Sequence, residues 1–410
     1  MDEPTLRSLS KSYLVPLFSG AELSEGSFPS NASQQRVAFE NRCNLRFKVH
    51  ANDNYRIGIK RSQFFDTDTG GRVTEKRVVE AFVDSVDEIS DGLSRPYKED
   101  LLSALQRRIV AKSVGGSASD SAILAAIDQL TTWSSRLYEG QPISVGLGFV
   151  PETNDSRIRL AQIASEDFGS VLSNGFDTLL SFDPEGNLQG HEALSQPALN
   201  PVFAPLRYAA LASWASEGRI ALSLNRLGEI LVFRDQKLVF ARRSGGWHFL
   251  THEPMLTQLG RPQSEDVRKA VYETCMDASF ARTGACIGVV LSHKRNQWKS
   301  VAVSESDYLA DPTSTKSMTI ARAVGGQLFH NLDRKLRQEL VAIDGATLID
   351  HNGVVLAVGA ILNIPGGSSG GGRRAAAVEL SKMGLGIKVS QDGGIVGFHD
   401  GVEEPKFRIM

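Results

Sequence analysis

The feature that most limits what this chain can fold into lies in its last 150 or so residues, where short apolar runs alternate with helical patterns. The runs are "TGACIGVVLS", "GATLID", "VVLAVGAIL", "LGIKV" and "GIVGF", bounded mainly by Gly, Asp, Asn and Ser. Segments this short, rich in β-branched residues and flanked by turn formers, read as buried strands rather than helices. Between them stand "SEDVRKAVYETCMDASFAR", "KSMTIARAVGGQLFHNLDRKLRQELV" and "GRRAAAVELSKMG". The first is an amphipathic helix, the second one or two helices broken at Gly325-Gly326, and the third a helix stopped by Gly384. "GATLIDHNGVVLAVGAIL" folds back as a hairpin around "DHNG", and "LGIKVSQDGGIVGFHDG" is a last strand pair. Strands and helices in this order give a layered α/β domain with a mixed sheet flanked by helices.

The chain has 410 residues, more than one ordinary core accommodates, so a further region precedes this domain. "THEPMLTQLGRPQ" places the boundary near residue 255. This gives an N-terminal α+β region, 1–255, and a C-terminal α/β domain, 256–410. In the first region, residues 1–35 are polar and Ser-rich and read as a frayed arm. "LRFKVHAN" and "YRIGIKRSQFF" are strands, "TEKRVVEAFVDSVDEISDGL" and "KEDLLSALQRRIVAK" helices, and "PISVGLGFV" a buried strand. "VGGSASDSAILAAIDQL" reads as a Gly-Ser loop leading into a long helix, with Ser117, Ser119 and Asp120 placed to cap it and an anion site as the alternative. "TLLSFDPEGNLQGH" is a hairpin, and residues 219–250 form a β-meander of three apolar strands. The meander carries Arg242, Arg243 and Trp247, residues suited to stacking a base or to docking a β-layer.

Hydrophobic content of 41% with 22% charged residues is that of a globular, soluble chain. A net charge of −2 excludes a whole-chain basic footprint for nucleic acid. No run of about 18 apolar residues occurs, so no membrane span is expected. The N-terminus lacks the apolar core of a signal peptide. Cys43, Cys275 and Cys286 are odd in number and widely spaced, which fits a reducing, cytoplasmic setting and no zinc pattern. His293, His330, His351 and His399 are scattered without metal-ligand spacing.

Two features of the C-terminal part carry chemistry. The tract "PGGSSGGGRRAAAVEL" runs straight into a helix. Glycine lets the backbone approach a ligand, and the free N–H groups of a helix start favour an anion. Arg373 and Arg374 add charge with a geometry suited to phosphate. The second feature is Asp344, at the opening of a strand and followed by Gly345 and Ala346. A carboxylate close to bound phosphates holds Mg²⁺ or Mn²⁺, or orients a hydroxyl. An isolated Asp-Gly more often satisfies its own turn.

The order "ARTGACIGVV", "IDGATLID", "NGVVLAVGAILNIPG", "GGRRAAAVELSKMGLGIKVSQDGGIVGF" resembles the diadenylate cyclase domain family over roughly residues 262–405. The resemblance implies a nucleotidyltransferase fold that binds ATP or a related nucleotide. Two such domains meet face to face, and each directs a ribose 3′-hydroxyl at the other's α-phosphate to give a cyclic dinucleotide. It implies catalytic roles for Asp344, Arg373 and Arg374, with Asp344 on Mg²⁺ or Mn²⁺. It implies nucleotide contacts from Thr283, Gly284, Gly345, Ala346, Gly371 and Gly372. The family's Thr-Arg-His-Arg is here Gly372-Arg373-Arg374-Ala375, so Ser368 or Ser369 would have to supply the hydroxyl. The expected protein is therefore a cyclase governed by an N-terminal sensor region. The alternatives are a nucleotide or cyclic-dinucleotide sensor that has lost catalysis, and a scaffold built on the same fold.

Overall fold

The computed structural model describes residues 1–31, 34–50, 52–67, 72–153, 155–260, 264–364 and 371–410. The chain forms two compact units, Met1–Thr251 and His252–Met410, and it is mixed α/β throughout.

The first unit does not begin with a frayed arm. Asp2 caps a helix, Glu3–Leu9, accepting a hydrogen bond from the Thr5 amide, and a π-turn over Ser10–Leu14 continues it. Leu6, Leu9, Leu14 and Leu17 recur at intervals of three to five, and all four are buried. That helical spacing outweighs the polar composition around it. A five-stranded sheet follows, with Asn44–Val49 and Asn52–Arg61 as central strands. A second, seven-stranded sheet contains the meander, which has four strands rather than three. Its last strand, Gly246–Phe249, pairs with Lys237–Arg243. Trp247 lies in the core and Arg243 is buried against Glu229 at 2.7 Å, so this meander offers no base-stacking surface built from that pair.

The expected Gly-Ser loop at 115–121 is shortened to a kink. Two helical segments within Leu105–Trp133 meet at Gly116 (φ 64°, ψ −160°), whose backbone is not helical. Leu105, Ile109, Val110 and Val114 are buried before the break, and Ile123, Ala126, Ile127 and Leu130 after it. The two apolar stripes hold both halves against the same core. Ser119 and Asp120 therefore cap nothing: the Ser119 hydroxyl bonds back to the Gly115 carbonyl, and Asp120 faces Lys112. The Ser117 side chain lies outside the described set.

The second unit opens, after a short helix Glu253–Gln258, with α1, Glu265–Ala281, capped by Ser264. Then come β1, Ala285–Val290; α2, Thr315–Val324; and α3, Arg334–Ala342. The broken helical pattern is thus two helices, with Gly325 in the left-handed region ending α2. Next are β2, Ala346–Asp350, and β3, Val355–Ala360, then α4, Gly372–Ser381, and β4, Gly384–Val389. Strand β5, Ile395–His399, and a further strand, β6, Phe407–Ile409, complete the unit. The sheet order is β3-β2-β1-β4-β5-β6. Only β1 and β2 are parallel, so their first residues lie side by side at one edge of the sheet.

Helix α4 lies on β1 and β4. A Cβ at Gly386 would sit 1.7 Å from the Ala377 carbonyl oxygen, so helix and strand meet backbone to backbone. Leu380 covers Gly288, and the Arg373 guanidinium lies over Gly284. The helix therefore runs in the same direction as β1, and its first turn sits above the edge where β1 and β2 begin.

Candidate functional site

That shared edge is where the site forms. The turn before β2 presents Asp344-Gly345, the end of β3 presents Ala360-Ile361-Leu362, and the start of α4 presents Gly372 and Arg373. Between them is a cavity of about 480 Å³, which Cys286, Ala346, Ile364 and Ala376 also line. One carboxylate and one guanidinium thus face a common space whose other side-chain walls are largely apolar. Ile361 is half-exposed at the rim, at 54%.

The carboxylate is not consumed by its own turn. Asp344 is exposed, and none of its carboxylate oxygens accepts a hydrogen bond from the described residues. Its backbone is tightly placed instead: Gly345 has φ 104°, and a Cβ there would lie 2.5 Å from the Gly359 carbonyl carbon. Only glycine allows β2 and β3 to approach so closely at that point.

The two arginines part company. Arg373 points over Gly284 toward Cys286, and among the described residues no hydrogen bond or ion pair holds it. Arg374 is turned away from the cavity: it donates to the Glu403 carbonyl at 2.8 Å, and its guanidinium lies 5.5 Å from the Phe398 ring centre. Consecutive positions on a helix are about 100° apart, so both could face the cavity only through an unusual pair of rotamers. Of the two arginines expected together, only Arg373 lines this cavity. Arg373 and Arg374 do share a second, shallower depression with Gly371, Gly372, Lys388, Ser390, Gln391 and Asp392.

Of the remaining expected residues, Gly345, Ala346 and Gly372 line the cavity. Gly284 lies beneath Arg373. Thr283 closes the end of α1 by donating its amide to the Ala278 carbonyl, so its role in view is structural. Ser368 and Ser369 lie outside the described residues. The apolar wall of Ala360, Ile361, Leu362 and Ile364 is not among the residues expected from the motifs. Its signal was present: in "VVLAVGAILNI" the apolar run continues past the last paired strand residue, Ala360. Cys286 is buried in the core and also forms part of the cavity floor. Burial pushes its thiol up to about 12, and the Arg373 charge acts the other way.

No cluster of three His, Cys, Asp or Glu suited to a metal occurs among the described residues. Asp344 alone offers a free carboxylate to the cavity. That donor set fits a cation which completes its shell with ligand oxygens and water, as Mg²⁺ commonly does, and does not fit a closed structural site. His399 sits away from this cavity, and burial lowers its affinity for a proton. No described helix is long and apolar enough to cross a membrane.

Comparison with known proteins adds little to this geometry. No family model matches the chain, and no curated protein does. Among solved structures, a double mutant of DacA from Staphylococcus aureus is similar at 19% identity. The match covers 35% of this chain and 90% of that one, with a TM-score of 0.25.

Proposed function

We propose that the second unit binds a nucleoside triphosphate in this cavity and, with a second copy, condenses two of them into a cyclic dinucleotide. Support comes from one observation above all: Asp344 and Arg373, 29 positions apart in sequence, line the same cavity, and among the described residues neither charge has a partner. The side walls of Ile361, Leu362, Ile364 and Ala376 suit the flat faces of a base and ribose. The first turn of α4 and Arg373 suit phosphate oxygens.

In this reading the 3′-oxygen of one nucleotide attacks the α-phosphorus of the other. A P–O bond forms there, the bond to the departing pyrophosphate breaks, and the hydroxyl proton is released. The same event in the opposite sense closes the ring, giving two pyrophosphates per product. Arg373 holds phosphate oxygens as charge builds on them. Asp344 orients the attacking hydroxyl and supplies a ligand for Mg²⁺ or Mn²⁺, which when bound would offset phosphate charge. Each nucleotide attacks the other, so in this reading the reaction needs a second occupied cavity facing the first, supplied by another copy. The first unit, in this scheme, senses a signal and controls that encounter.

The alternative is a nucleotide or cyclic-dinucleotide sensor without turnover. The orientation of Arg374 favours it, because half of the expected cationic clamp is directed to Glu403. The bare Asp344 carboxylate disfavours it. A negative group facing phosphates weakens binding unless a cation bridges them, and a pure sensor gains nothing from it. The purified protein incubated with ATP and Mg²⁺ or Mn²⁺ should release pyrophosphate and a cyclic dinucleotide. Asp344→Asn should abolish both while nucleotide binding persists. Binding without pyrophosphate in the unaltered protein would establish the sensor instead.

A further inference from the structure

Among the described residues no hydrogen bond aims the Asp344 carboxylate, so its direction is set by the backbone beneath it. That backbone packs on Gly359 of β3. A Cβ on Gly359 (φ 62°) would lie 2.9 Å from the Asp344 carbonyl oxygen and 2.7 Å from Ile343 Cγ2. Gly345 presses on the same peptide from the other side. The pairing between β2 and β3 is irregular here, with a register shift between Ala346 and Leu348. A regular ladder does not fix this stretch, so something else must.

The Gly359 carbonyl accepts a hydrogen bond from Lys316 Nζ at 2.8 Å. The same ammonium donates to Asp307 Oδ1 at 2.7 Å. Asp307 is 7% exposed and sits on a turn, Glu305–Asp307, that is itself tied down. The Ser314 hydroxyl donates to the Ser306 carbonyl, the Leu309 amide to the Leu356 carbonyl, and Tyr308 stacks edge-on against Trp298. Lys316 thus joins the first turn of α2, an anchored buried carboxylate and the peptide that backs Asp344. It lies outside the cavity wall.

We infer that Lys316, held by Asp307, is a positioning residue: it fixes the Gly359 peptide and through it the aim of the Asp344 carboxylate. A misplacement of about 1 Å at a reacting group costs on the order of 100-fold in rate. Only the turnover arm of the test rests on the cyclase reading above.

Removing Lys316 alone would leave the Asp307 carboxylate buried and unpaired, which risks unfolding. The informative variant is Lys316→Met combined with Asp307→Asn, with Lys316→Arg as the conservative control. Two readouts apply to full-length protein. In hydrogen–deuterium exchange, the double variant should lose protection at the amides of residues 345–348 and 359–360 by at least about 10-fold, while β4 and β5 stay protected. In turnover, it should lose about 10- to 100-fold in kcat with ATP affinity within twofold of the parent, and Lys316→Arg should recover most of it. Unchanged exchange at 345–348 overturns the inference whether or not the protein is an enzyme. Unchanged kcat with looser exchange overturns it as well. Absence of turnover in the unaltered protein would instead count against the cyclase reading and leave the exchange result to decide.

Discussion

The chain contains two glycine- and serine-rich stretches that lead into a helix, one at 115–121 and one ending at 371–374, and they do different work. At the first, the helix is already under way before the glycines, and the break at Gly116 is closed by local partners. Arg77 Nε donates to the Ser113 carbonyl at 2.6 Å, and Lys112 bridges Glu88 and Asp120 across the break. Every charge has a neighbour. At the second, a strand precedes the glycines and a helix begins after them. The Arg373 guanidinium and the Asp344 carboxylate face a cavity without partners among the described residues. A glycine-serine tract therefore does not by itself mark a ligand site. What sets the second tract apart is charge that faces a cavity and has no partner among the described residues.

This contrast can be broken or sharpened by substitution. The largest effect is expected at Asp344. Asp344→Asn should reduce cyclic-dinucleotide formation by about 10³-fold, measured by chromatography of the product, with the fold intact by circular dichroism. Gly386→Ala comes next. The new methyl would meet the Ala377 carbonyl, so α4 must lift from β4 at a cost of about 3 kcal/mol. The midpoint of chemical unfolding of the second unit should fall accordingly, and nucleotide binding should weaken with it. Arg373→Gln should weaken nucleotide binding by about 2 kcal/mol, read by calorimetry.

Gly116→Ala is the matching change in the first tract. Backbone at φ 64° and ψ −160° is essentially restricted to glycine, so the substitution should cost about 1.5 kcal/mol. It should appear as a lower melting temperature of the first unit, with nucleotide affinity untouched. The smallest effect belongs to Arg374→Gln, whose side chain is directed to Glu403. Its binding free energy should change by less than about 0.5 kcal/mol. Equal losses from Arg373→Gln and Arg374→Gln would erase the distinction drawn between them.

The sequence was most readable where burial imposes a period. The runs "ACIGVV" and "ATLID" are strands buried at every position, and "GLGIKV" is buried at four of its six, so both faces are largely covered and the apolar signal is dense. It was least readable where composition and period disagree. Residues 1–35 read as a polar, Ser-rich arm, yet four leucines at helical spacing within them are buried. The "GGSASDS" stretch looks like a loop, yet it holds only a kink at Gly116 between two helical segments whose apolar stripes share one core. The cavity itself was half legible. Asp344 and Arg373 could be named because each stands in a pattern with a chemical reason. The separation of Arg373 from Arg374 could not, because it depends on helix phase relative to the sheet, which Gly288 and Gly386 set by contact with Leu380 and Ala377. The two aspartates of "IDGATLID" make the same point. Asp350 accepts bonds from the Asn352 and Val354 amides at 2.9 and 2.8 Å and serves its turn, whereas Asp344 serves none. Nothing in the local sequence separates the two roles; the neighbouring elements do.

The central claim, that Asp344 and Arg373 bound one nucleotide pocket, is tested most directly by a crystal structure with a non-reactive ATP analogue and Mn²⁺, the metal located by its anomalous signal. The account predicts the α-phosphate between the two residues, with Mn²⁺ about 2.1 Å from an Asp344 carboxylate oxygen. Analogue seated elsewhere on the second unit, with the cavity between Asp344 and Arg373 empty of it, would contradict the account.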